Sequence, residues 1–245
     1  AGGPHWFWRV VAYMAVWHFI RQQYGWVMMY RARNRELDRL GRFIDGATVY
    51  AATLYPIIYW HAHLPREFSW MRKHDFVVGL PEWTSTVAGW IYLALIAAYL
   101  ARAVTQRPVS WGKHLIVATT AACWYVGIVA TNNDYTFTVT NVFTHGIPYL
   151  VLVYVYARNA SREAESAKGT TAQLLGAGRS RLRAIFIFVA TLWLIAYFEE
   201  LIWDRTIWHQ REYLFGSSID VGWAATIIVP LLAMPQLAHY VIDAY

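Results

Sequence analysis

Charge is what this sequence has least of. Only 15% of its 245 residues are Asp, Glu, Lys or Arg, where a soluble domain carries about 25%. Cysteine is almost absent as well. The single Cys123 lies inside an apolar run, which excludes an internal disulfide framework, thiolate-ligated zinc and iron–sulfur chemistry. No GxxxxGK loop, GxSxG elbow or HExxH pair occurs, so ATPase, serine hydrolase and zincin chemistries drop out. The HxxxH and HxxHH boxes of membrane desaturases are missing too, and there is no internal repeat. No cleavable signal peptide is visible. The chain opens AGGPHWFWR without a methionine and stops at Tyr245 inside an apolar helix, so both ends are expected to be trimmed.

What fills the space is apolar and aromatic. Hydrophobic residues make up 58% of the chain, and there are 14 Trp and 17 Tyr, a composition suited to aromatic belts at two membrane interfaces. A bilayer core takes about 20 apolar residues per helix. On that length the sequence predicts seven spans, at about 6–30, 43–64, 84–104, 114–131, 135–157, 184–203 and 221–245. The expected fold is an all-α, polytopic membrane helix bundle of about seven transmembrane helices, forming a single integral membrane domain over 1–245.

The positive charges sort by loop. Loops 31–42, 102–113 and 158–183 hold five, three and six Lys or Arg, while loops 65–83 and 204–220 hold three and two. Seven spans place the three rich loops on one side, which the positive-inside rule makes cytoplasmic. The expected location is a bacterial inner membrane. The net charge of +6 is therefore topology rather than a phosphate-binding stripe, and nucleic acid is excluded as a partner.

An ionisable side chain in mid-membrane is a candidate functional site. His145 sits inside the fifth span, with Asn141 four residues earlier on the same helical face and Gly146 and Pro148 following, which should open the helix. His18 lies in the first span, with Gln22 on its face and Arg21 and Gln23 extending the polar surface. His239 lies in the seventh, with Asp243 four residues on, placed either to take the second N–H of a ligating histidine or to bind metal itself. His61 and His63 close the second span. Being two residues apart, they diverge by about 200° on a regular helix. Glu199, Glu200 and Asp204 end the sixth span, followed by His209. Any one of these has an ordinary structural reading, such as hydrogen bonding between helices, wetting at an interface or a buried ion pair. As a set, nitrogen and oxygen donors without thiolates favour non-haem iron, then zinc, copper or manganese.

Three segments carry a family resemblance. IIVPLLAMPQLAHYVIDAY looks like the C-terminal segment of the bacterial Brp/Blh-type β-carotene dioxygenases, WHFIRQQYG is similar to their early histidine segment, and FTHGIPY resembles their later one. Together these patches cover about a fifth of the chain. Where the later segment of the family has a second histidine, this chain has Tyr149 or no counterpart, and the family's opening proline–histidine–glycine run has none. The resemblance implies a polytopic membrane protein that holds iron through His18, His145 and His239 and oxidises or cleaves a carotenoid.

The leading expectation is a membrane-embedded, metal-dependent oxidoreductase or oxygenase acting on a lipid or isoprenoid. Its metal ligands would be His18, His145, His239 and Asp243, with Gln22, Asn141 and Tyr149 around them and Glu200 and Asp204 as catalytic carboxylates. His61, His63, Glu199 and His209 would form a second metal site or a proton route. The alternative is a subunit of an electron-transfer or photosynthetic complex binding haem, quinone or chlorophyll, with partner membrane subunits. A proton-relaying transporter ranks last, because such folds usually show internal repeats.

Overall fold

The structure is a computed structural model that describes residues 5–66, 68, 76–164 and 181–242. Every regular element among them is helical. In chain order these are α1 (His5–Arg33), α2 (Arg39–Ala62), α3 (Glu82–Thr105), α4 (Trp111–Trp124), α5 (Asp134–Asn141), α6 (Ile147–Ala164), α7 (Arg181–Trp203), α8 (Glu212–Phe215) and α9 (Ala225–Ile242). π-Helical turns follow α4, α5 and α7, at Tyr125–Ala130, Val142–Gly146 and Asp204–Trp208. Among the described residues, five segments are long and apolar enough to cross a membrane: Glu82–Thr105, Trp111–Ala130, Asp134–Asn159, Leu182–Trp208 and Gly222–Ile242.

Helices α1 and α2 occupy the first two expected spans and, at 29 and 24 residues, are long enough to cross. They fall outside the five because they are too polar. Their polar residues face protein. His18, Gln23 and Arg31 of α1 and Asp45, Thr48 and Thr53 of α2 are all buried, the position a polar side chain must take in a membrane helix. The apolar helices show the reverse pattern. No residue of the most apolar stretch of Leu182–Trp208 is buried inside the protein, and Phe186, Trp193, Ile195 and Phe198 are exposed. An apolar stretch that stays exposed along its length is suited to lipid.

The chain divides into two compact units, Ala1–Ile147 with His239–Tyr245, and Pro148–Ala238. In the first, α1, α2 and α4 pack together and α3 lies against α2. One aromatic cluster joins Trp60 of α2, Trp124 of α4 and Phe137 of α5. At Gly127, just beyond α4, the chain passes so close to α5 that an added Cβ would meet the backbone of Phe137 at 2.9 Å. In the second unit, Tyr197 of α7 packs on Phe215 of α8 at 5.5 Å.

The end of the first unit where α1 stops and α2 starts holds a buried ionic network that the sequence reading did not anticipate. Arg31 meets Asp45 at 2.5 Å and Glu36 at 3.2 Å, and Lys113 meets Glu36 at 2.5 Å and Asp45 at 3.0 Å. Lys113 is fully buried and Asp45 is 1% exposed. Asp38 caps α2 by accepting from the Gly41 N–H at 2.8 Å and also pairs with Arg31 and Arg102. Burial alone would raise the Glu36 carboxyl, but hydrogen bonds from Lys113 and Gln106 hold it below the usual carboxylate range.

Breaking one side of a buried pair costs about 3–5 kcal/mol, whereas replacing both partners by apolar groups costs far less. Asp45→Ala should therefore lower detergent-solubilised stability by about that amount, and Asp45→Leu with Lys113→Met should recover part of it in thermal melts. Because the folded protein holds Glu36 ionised, its contribution is present above the ordinary carboxylate range and is lost as pH falls through the lowered value. Glu36→Gln should flatten that acid limb of stability against pH. An unchanged limb would show that Glu36 does not set it.

Candidate metal centre

Within the first unit, three histidine rings converge from three helices. His18 comes from α1, His145 from the π-turn Val142–Gly146, and His239 from α9. Ring centroids lie 4.8 Å apart for His18–His145, 4.5 Å for His18–His239 and 6.3 Å for His145–His239. One nitrogen from each can be chosen so that all three lie within 4.8 Å of one another. His18 is fully buried and the other two are half-buried. Phe19 packs edge-on to His145 at 4.5 Å, and Tyr240 lies 5.3 Å from the His18 ring. Aromatic rings thus pack directly against the three imidazoles.

The local fold explains how His145 reaches this position. Pro148 has no N–H to give to the carbonyls one turn before it, and the helix widens into a π-turn at that point instead of opening. Side chains of α1 take up the released carbonyls. Gln23 Nε2 donates to Thr144 C=O at 3.0 Å and Gln22 Nε2 reaches His145 C=O at 3.5 Å. Thr120 of α4 then donates its hydroxyl to Gln23 Oε1 at 3.0 Å. Gln23, read from sequence only as an extension of the polar surface of α1, is 1% exposed and bridges α1, α4 and the π-turn. Pro148 was the available signal, since a proline orphans a carbonyl about four residues back.

Other expected residues fall in different places. Asn141 is buried, and its amide donates back to Phe137 C=O at 2.9 Å, within its own helix. Gln22 Oε1 and Asn141 Oδ1 are buried oxygens without a hydrogen-bond partner. Tyr149 is half-buried on α6, in the second unit. Asp243 lies outside the described residues. Arg21 donates to the Tyr50 hydroxyl at 2.8 Å, so it is held by protein and not directed to an interface.

His61 uses both ring nitrogens. Nδ1 meets Ile57 C=O at 2.7 Å and Nε2 meets the Tyr13 hydroxyl at 2.6 Å, so Nδ1 carries the proton and Tyr13 donates. His63 gives Nδ1–H to Tyr59 C=O at 2.7 Å and stacks on that tyrosine. The two histidines are each tied to their own helix turn. In the second unit, Asp204 is buried and accepts the backbone N–H groups of Gln210 and Arg211 at 3.1 Å, closing the turn in which His209 takes a left-handed φ of 53°. Glu200 is exposed and pairs with Arg211 at 3.3 Å, and Glu199 is exposed beside it. Among the described residues, the His18–His145–His239 set is the one group of three or more such side chains spaced to hold a metal.

Comparison with protein-family models, with curated proteins and with solved structures finds no match to this chain.

Gln23→Leu removes the donor to Thr144 and leaves a buried carbonyl unsatisfied, a loss of about 1–3 kcal/mol. Pro148→Ala returns a main-chain N–H to the same turn, so it should offset part of the Gln23→Leu loss when the two are combined. Thermal unfolding of the four proteins of this cycle measures the coupling. Strictly additive losses would refute the link between Gln23 and the proline.

Proposed function

We propose that the chain is a membrane-embedded, metal-dependent oxidoreductase or oxygenase acting on a lipid or isoprenoid, with the metal held by His18, His145 and His239. The convergence of three imidazoles from three separate helices carries this reading. Metal–imidazole bonds of about 2.0–2.1 Å require the donor nitrogens to stand about 3 Å apart. The present limit of 4.8 Å thus asks for a contraction of about 1–2 Å, within reach of side-chain rotation. The donor set also fits. Nitrogen ligands with no thiolate suit non-haem iron first and zinc, copper or manganese next, and three protein ligands leave open positions. Buried, unpartnered oxygens on Gln22 and Asn141 are the kind of groups that receive hydrogen bonds from a bound metal's water or from substrate.

A bound redox metal would supply electron transfer to the substrate or to dioxygen. The chain's own part is positioning and exclusion. The π-turn sets His145, a feature frequent at functional sites. Gln23 and Thr120 lock that turn, and Phe19 and Tyr240 present apolar rings that favour a hydrophobic substrate over water. The similarity of the three histidine segments to the Brp/Blh-type dioxygenases supports the same reading and extends it to a carotenoid-like substrate. Seven crossings, α1 and α2 among them, with the arginine-rich loops on the cytoplasmic face of a bacterial inner membrane, complete the proposal. The exposed Glu200 and the turn-closing Asp204 have no part in it.

Metal analysis of the detergent-purified protein is the test. About one equivalent of a transition metal per chain is expected, falling to background in His18→Ala, His145→Ala and His239→Ala while thermal stability without metal changes little. Less than about half an equivalent in the unaltered protein would overturn the assignment. An intense visible band from haem or chlorophyll would replace it with the cofactor-carrying subunit of an electron-transfer complex.

A further inference from the structure

Beside the ionic network lies a half-open polar cavity of about 500 Å³. Its walls come from the α1–α2 connection (Asn34, Glu36, Asp38), the end of α3 (Arg102, Thr105) and the turn after it, with Arg35 and Arg107 also lining it. Two carboxylates in the wall would ordinarily argue against an anion. Here all four of their oxygens are already engaged. Asp38 accepts from Arg31, Arg102 and the Gly41 N–H, and Glu36 accepts from Lys113, Arg31 and Asn34.

Counted with the network behind it, the site has five cations (Arg31, Arg35, Arg102, Arg107, Lys113) against three carboxylates (Glu36, Asp38, Asp45). The surplus of two falls on Arg35 and Arg107, both exposed. Arg107 spends Nη1 on the carbonyls of Val104 and Gln106, leaving its remaining N–H groups available. A cavity with unspent guanidinium donors and no unspent carboxylate suits a phosphate group.

The surroundings select the form of phosphate. The cavity sits at the end of α3, a helix long and apolar enough to cross a membrane, and such a crossing would bring it to the depth of lipid headgroups. Leu37, which lines it, is 88% exposed, and Val104, the penultimate residue of α3, is 72% exposed. Apolar side chains at the rim are unfavourable beside a water-soluble anion and favourable beside acyl chains. Basic pockets at the cytoplasmic ends of membrane helices are recognised sites for anionic headgroups. We propose that this cavity binds the phosphodiester headgroup of an anionic phospholipid, with the acyl chains lying along Leu37 and Val104. The proposal is independent of the metal centre.

The experiment uses the full chain reconstituted in nanodiscs of phosphatidylglycerol or of phosphatidylcholine, with bound lipid quantified after purification and titrated back into delipidated protein. Selective retention of phosphatidylglycerol is expected. Arg35→Ala and Arg107→Ala should each weaken it about fivefold, and together about thirtyfold, the amount two basic residues contribute at an anionic membrane surface. Arg33→Ala, an equal charge loss at the end of α1 but outside the cavity, serves as the control and should leave retention unchanged. Equal weakening by Arg33→Ala would reduce the effect to diffuse surface charge and overturn the site. Equal retention of the two lipids would overturn it as well. Stabilisation by inorganic phosphate matching that by phosphatidylglycerol would assign the cavity to a soluble anion and overturn the lipid assignment. All three variants alter exposed side chains, and their melting temperatures verify that they fold.

Discussion

A polar group carried into a bilayer finds no water to satisfy it, so it must be satisfied by the rest of the chain. That single constraint accounts for most of what distinguishes this fold. Helices α1 and α2 carry polar residues along their length and bury many of them against the rest of their own unit, while the most apolar stretch of Leu182–Trp208 has none of its residues buried. The division does not follow helix length, which is ample in all of them. It follows from where each polar atom can find a partner.

The same constraint explains why the histidine centre and the ionic network share helices. Along α1, His18 and Arg31 are thirteen residues apart, about 20 Å at 1.5 Å per residue, and Gln23 lies between them. Along α4, Lys113 and Thr120 are seven residues apart, about 10 Å. Lys113 joins the α1–α2 end through Glu36 and Asp45, and Thr120 joins α1 itself through Gln23. Two ties at different heights fix the register of α4 against its neighbours, where one would leave it free to slide or rotate. The depth of His18, five residues from Gln23, is then set by hydrogen bonds and ion pairs more directional than the apolar packing around it.

Much of this was legible in the sequence, and what was missed has a common cause. The helical character and the approximate extents of five of the seven expected spans follow from hydropathy, because bilayer thickness dictates segment length. His18, His145 and His239 were identifiable one by one, since an ionisable residue is conspicuous against an apolar background. The partners were less accessible. The Asp45–Lys113 contact joins residues 68 apart in the chain and the Gln23–Thr144 contact residues 121 apart, and helical periodicity reports only on neighbours three or four positions away. That local rule also suggested Asn141 as the partner of His145. The fold instead turns the amide of Asn141 back onto its own helix, because a carbonyl one turn earlier is always within reach of such a short side chain. Gly146 and Pro148 signalled a disturbance at the right place. Its form, a π-turn steadied from α1, depended on a glutamine more than a hundred residues away.

The π-turn also bears on how rigid the candidate centre is. A histidine on a continuous α-helix has its Cβ fixed by the helix, and only rotation about its side-chain bonds remains. His145 sits instead where the hydrogen-bond ladder is interrupted, and its carbonyl and that of Thr144 are held by side chains of α1. Side-chain donors can shift by tenths of an ångström at lower cost than a main-chain ladder can. The one histidine of the three placed on such a turn is therefore the one best able to move toward His18 and His239 as a ligand is bound. Since Gln22 and Gln23 stand four and five residues from His18 on the same helix, any such movement is transmitted to α1 as well. The amides that satisfy the turn thereby couple the positions of two of the three imidazoles.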